Sequence, residues 1–113
     1  MCTASTLNII TTNIVREVSS RIGDKLDSIL LYGSYARGDF DNESDIDIMV
    51  LADISVDEAN RVENELVSLT SSLGLEHDIL ISLYVKDCDT FYKWKDVLPF
   101  YQNVLRDGVK LIA

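Results

Sequence analysis

The sequence is short of the residues that tie small secreted proteins together. Its 113 residues include two cysteines, Cys2 and Cys88. That is too few for a disulfide framework and implies a reducing, cytoplasmic setting. A single histidine, His77, and the lack of any short Cys/His pairing argue against a zinc site. Long apolar runs are missing as well. The longest, such as residues 79–85, are broken by polar residues and are far too short to cross a bilayer. No basic segment followed by an apolar block opens the chain, so no signal peptide is expected. Basic residues are scarce: 10 Lys and Arg stand against 19 Asp and Glu, a net charge of −9. Nucleic-acid binding draws much of its affinity from Lys and Arg on phosphates. Direct nucleic-acid binding is therefore not expected, and the acidic balance points to a metal-dependent site or a basic partner surface.

What is present reads as an ordinary globular chain, 47% apolar and 26% charged. The length suits one domain spanning residues 1–113, without repeats, linkers or low-complexity tracts. Leu7, Ile10, Ile14, Val18 and Ile22 recur at helical spacing and predict a helix over residues 5–22, with Ser5 as its cap and Gly23 as its stop. Residues 28–32 form a first strand and 45–51 a second, with a helical turn over 34–37 between them. Ser55 and Glu58 make a capping box for a helix that Gly74 should terminate. Residues 76–85 read as a third, central strand carrying Glu76, His77 and Asp78. A short helix over 90–95 follows, then one from Pro99 to about Asp107, and an edge strand at 109–112. Alternating strands and helices give an α/β (α+β) layer architecture with a small mixed β-sheet flanked by helices.

Two chemically different signals share residues 32–51. Gly33-Ser34 directly follows the apolar run that ends at Tyr32, and a strand ending in such a turn exposes backbone N–H groups and a hydroxyl that suit a phosphate. Asp45 and Asp47 lead into an apolar run and, by strand alternation, point the same way. Neighbouring carboxylates repel, and charge is costly beside an apolar core. A divalent cation removes both objections, since Mg²⁺ is usually held by one or two carboxylates together with substrate phosphates.

Gly33-Ser34, ten further residues, then Asp45-Ile46-Asp47 resembles the signature of the polymerase-beta-like nucleotidyltransferase superfamily. The longer string, with Ala36-Arg37-Gly38 and Ser44 to Ile48, is similar to its minimal, MNT-type members. The resemblance implies a palm fold and transfer of a nucleoside monophosphate, AMP from ATP, to a hydroxyl with Mg²⁺ in a two-metal site. It implies that Asp45 and Asp47 ligate metal and that Gly33, Ser34, Arg37 and Ser44 hold the nucleotide. The family's third carboxylate comes from the strand after the next helix; Asp78 matches that position, with Glu76 the fallback. Minimal members pair with a HEPN-type toxin in toxin–antitoxin modules and attach AMP to a tyrosine of it, which is the role implied here.

Two other classes are consistent with the residues. One is a small-molecule nucleotidyltransferase whose acceptor pocket forms across a homodimer. The other is an antitoxin of this fold that neutralises its partner by contact alone, although such a protein has no need of adjacent carboxylates. His77 reads as a strand residue that packs or is solvated. Phe91, Tyr92, Trp94, Phe100 and Tyr101 read as packing for the C-terminal helices or as a partner surface, with a base-stacking platform as the alternative. Cys88 reads as an inert thiol.

Overall fold

A computed structural model describes residues 3–41 and 43–112; Cys2 lies outside the described residues. Helix α1 (Ala4–Ile22) begins at Thr3, whose hydroxyl accepts from the Thr6 amide, so the cap stands two residues before Ser5. It ends at Gly23 as expected, at φ 68°, a region glycine enters without strain. A 3₁₀ turn then leads into β1 (Leu26–Tyr32). The one-turn helix α2 (Ser34–Arg37) separates β1 from β2 (Ile46–Ala52). Helix α3 (Val56–His77) crosses back to β3 (Ile81–Asp87), and α4 (Cys88–Trp94), α5 (Pro99–Asp107) and β4 (Val109–Ile112) complete the chain.

The sheet is mixed, in the order β3-β2-β1-β4. β1 pairs antiparallel with β2 and β4, whereas β2 and β3 run parallel because α3 is a crossover connection. Alternation along the strands assigns the two faces. Ile29, Leu31, Ile46, Ile48, Val50, Ile81 and Val85 pack under α1 and α3 through Ile10, Ile14, Val18, Val62 and Leu66. On the other face Leu30, Tyr32, Met49 and Leu51 pack against Phe91, Tyr101 and Val104 of α4 and α5. Both faces of the central strands are covered, which explains why β2 reads as an almost unbroken apolar run after Asp47. Phe91 and Tyr101 thus pack as expected, while Tyr92, Trp94 and Phe100 remain exposed. Burial, with carboxylates nearby, pushes the Cys88 thiol up to about 11, so it stays protonated at neutral pH. Among the described residues no helix is long and apolar enough to cross a membrane.

The third strand starts at Ile81, not at residue 76. Ser55 caps α3 as predicted, accepting from the Glu58 amide, but Gly74 does not stop it. The helix continues through Glu76 and His77, and Asp78 ends it in the left-handed conformation at φ 54°. The amides of Asp78 and Ile79 both donate to the Gly74 carbonyl, closing the helix with Asp78 as its left-handed residue. Gly74 is needed for another reason: a Cβ there would stand 2.6 Å from the Ile79 carbonyl oxygen. Glycine belongs to the helix end, therefore, but in its last turn rather than beyond it.

A left-handed aspartate carries a backbone cost that glycine does not. Asp78→Gly should raise stability by about 0.5 kcal/mol, read as a higher denaturant midpoint with unchanged slope. A clear loss of stability would mean that the Asp78 side chain contributes something beyond ending the helix.

Candidate functional site

The site forms where β1 stops. Tyr32 is its last residue, and Gly33 at φ 74° turns the chain sharply into α2. The Gly33 carbonyl accepts from the amides of Ala36 and Arg37, and Gly38, left-handed at φ 85°, closes the turn through the Ser34 carbonyl. Tyr32 pairs with Asp47 across the antiparallel ladder, which brings the turn against the acidic strand. The approach is so close that a Cβ on Gly33 would overlap the Asp47 carboxylate. Glycine is required here both for its positive φ and for its missing side chain.

Asp47 is half-buried at the head of β2, and Asp45 immediately precedes the strand. Burial raises the Asp47 carboxyl above the usual carboxylate range, and the neighbouring Asp45 charge raises it further; Arg37 opposes both. The charge of Asp45 thus acts on Asp47, while of the two acids only Asp47 lines the cleft beside Gly33. The phenol of Tyr32 is pushed up as well, by burial and then by the Asp47 charge, so it stays protonated beside the acids.

Tyr32, Gly33, Ser34, Arg37 and Asp47 line one cleft of about 340 Å³. Arg37 is held from two sides, donating to Asp39 at 3.1 Å and to Asp107 at 3.0 Å. Ser44 serves a different purpose: its hydroxyl accepts from the Asp41 amide at 2.9 Å and donates to the Asp41 carboxylate. It ties down the loop that delivers Asp45 and does not line this cleft.

Asp78 is not brought to the acidic face. It is exposed beyond the end of α3 and borders a separate groove formed by Thr70, Ser71, Gly74, Leu75 and residues 79–81. The charges acting on Asp47 are those of Asp45 and Arg37. Glu76, the fallback, stands on α3 with its side chain 69% exposed. In the parallel register the β3 residue beside Asp47 is Ser82, and the next on that face is Tyr84. Among the described residues no three His, Cys, Asp or Glu side chains converge as a metal-binding group.

The rest of the cleft comes from α5, through Phe100, Asn103, Arg106 and Asp107. The sequence marks Phe100 as a packing or base-stacking aromatic, but it does not mark Asn103, Arg106 and Asp107, which lie some sixty positions from the motif. The available signal was Asn103 and Arg106, which share one face of a helix at i, i+3.

Comparison with known proteins agrees with this geometry. The family model of the nucleotidyltransferase domain matches residues 12–108. A Methanocaldococcus jannaschii protein provisionally named a protein adenylyltransferase is 37% identical over 79 residues, 68% of this chain and 78% of its own. A toxin–antitoxin crystal structure with AMP-PNP superposes with a TM-score of 0.57 at 29% identity, covering 89% of this chain and 72% of that one. A mutant of the toxin–antitoxin pair MntA–HpeT superposes with a TM-score of 0.56 at 26% identity, covering 89% and 71%. With the motif turn, the acidic strand and the mixed sheet all in place, this chain belongs to the nucleotidyltransferase domain family.

Proposed function

We propose that the chain transfers AMP from ATP to a tyrosine hydroxyl of a protein partner, a HEPN-type toxin, with a divalent cation held by Asp45 and Asp47. The observation that carries this reading is the contact between the Gly33-Ser34 turn and Asp47 in a cleft that also holds Arg37. It juxtaposes a turn suited to phosphate and one hard oxygen ligand, Asp47, with Asp45 two residues before it.

The acidic pair suits such a cation. Asp47 is raised by burial and by Asp45, and a Mg²⁺-sized ion with carboxylate ligands would relieve that repulsion. When bound, the ion would offset phosphate charge and make the acceptor hydroxyl a better nucleophile. The chain's own groups do the rest. Gly33 lets backbone amides approach the triphosphate, Ser34 donates its hydroxyl, and Arg37 binds phosphate oxygens through its fork of N–H groups. The acceptor oxygen attacks the α-phosphorus in line; the bond to the β-phosphate bridge breaks, pyrophosphate leaves, and the acceptor proton passes to solvent.

Two features favour a phenolic acceptor on another protein. Ser82 stands where a third carboxylate would adjoin Asp47, so β3 offers no base to the incoming hydroxyl. A phenol, with a pKa near 10, needs less help than an aliphatic alcohol. The cleft volume of about 340 Å³ lies at the small end for ligand sites. It fits the phosphate end of a nucleotide and leaves the acceptor to arrive on a separate molecule. The toxin–antitoxin neighbours, one of them with AMP-PNP, support this partner class and ATP as donor.

Incubation with α-labelled ATP, Mg²⁺ and the protein encoded beside this one should place label on a tyrosine of that partner. Asp45→Asn and Asp47→Asn should reduce labelling at least about a hundredfold. Labelling of a small molecule, or labelling that survives both substitutions, would overturn the reading. Stability should move the other way. Because the folded state raises the Asp47 pKa, ionising Asp47 costs stability as pH rises through that value. Asp47→Asn should therefore unfold about 2–4 °C higher than the unsubstituted protein at pH 7, and the gap should close as pH falls below the raised pKa. A variant that is inactive and also less stable at pH 7 would point to damage instead.

A further inference from the structure

Arg37 is not the only cation on the cleft. Arg106, in the last turn of α5, also lines it, together with Asn103 one turn earlier. The two arginines come from different helices, α2 and α5, and meet on one carboxylate. Arg106 donates to Asp107 through Nε at 3.1 Å and Nη2 at 3.3 Å, and Arg37 donates to the same group through Nη1 at 3.0 Å. The Asp107 side chain is only 9% exposed, whereas those of Arg37 and Arg106 are 43% and 69% exposed. One nearly covered acid thus holds two guanidiniums at the mouth of the cleft. The arginines pull the Asp107 carboxyl below its usual range, Arg106 most strongly, so it is ionised at neutral pH.

A guanidinium has five N–H donors, and these ion pairs use only two on each arginine. A triphosphate entering between Ser34 and Asp47 carries about four negative charges into a chain of net charge −9. Two fixed guanidiniums at that mouth are what such a ligand requires. Arg106 also complements the negative end of α5, but a helix-end role needs neither the cleft nor the link to Arg37.

We propose that Arg106 is the second cation of the triphosphate site, binding β- or γ-phosphate oxygens beside Arg37, and that Asp107 is the positioning residue for both. This rests on the nucleotidyltransferase reading above and adds a phosphate-binding residue outside the motif.

The test is calorimetric titration of the full chain with ATP, AMP and inorganic tripolyphosphate in Mg²⁺. Arg106→Gln should weaken ATP and tripolyphosphate about tenfold or more while AMP is unchanged, and Arg106→Lys should restore part of the loss. Asp107→Asn should raise the KM for ATP several-fold with kcat unchanged. Arg106→Gln binding ATP as tightly as the unsubstituted protein, or losing ATP and AMP equally, would overturn the assignment of Arg106. Tighter ATP binding by Asp107→Asn would show that Asp107 competes with phosphate rather than positioning the arginines. An unsubstituted protein that binds no ATP would sink the nucleotidyltransferase reading itself, and Arg106 with it. Normal ATP binding and transfer with an Arg106→Gln variant that also behaves normally would sink only this inference.

Discussion

The constraint on which the site depends is the half-buried carboxylate of Asp47 at the head of an otherwise apolar strand, with Asp45 two residues before it. Burial and the neighbouring charge both disfavour ionised Asp47, and yet β2 continues from it into fully buried Ile48, Met49 and Val50. A fold keeps such a pair only if something else compensates for it. The surroundings show how this one is arranged. β1 and β3 flank β2 on either side, α1 and α3 seal one face, and α4 and α5 seal the other beyond the acids. The acids are left at the open end of the strand, where Gly33 omits a side chain so that the Gly33-Ser34 turn can press against Asp47.

The second wall of the site is as important as the motif. Helix α5 buries Tyr101 and Val104 against the sheet and by the same rotation turns Phe100, Asn103, Arg106 and Asp107 toward the cleft. Packing and cleft lining are therefore two faces of one short helix. On the third side the site differs from the pattern its motif implies, because Ser82 rather than a carboxylate adjoins Asp47. In the proposed transfer, that difference shifts the burden of activating the acceptor from the chain to the acceptor's own acidity.

Much of this was legible in the amino acids, for local reasons. Gly33-Ser34 and Asp45-x-Asp47 are each legible within a few residues, and the structure brings the turn against Asp47. The apolar stripe of α1 and the capping box at Ser55 worked in the same way. The place of Asp78 is not legible locally, because Gly74 has the chemistry of a residue after a helix, whereas close approach of the Ile79 carbonyl demands glycine inside the last turn. That contact exists only once the chain has doubled back. The Arg37–Asp107–Arg106 link was illegible for a related reason. It joins residues seventy positions apart, and no local spacing encodes such a meeting.

The central claim is that Asp45 and Asp47 together hold a divalent cation on which ATP is seated. Electron paramagnetic resonance of Mn²⁺, titrated into the protein with and without a non-hydrolysable ATP analogue, tests it most directly. The account predicts Mn²⁺ binding that tightens with the analogue and is lost in Asp47→Asn. Binding of equal affinity in the protein and in that variant, indifferent to the nucleotide, would contradict it.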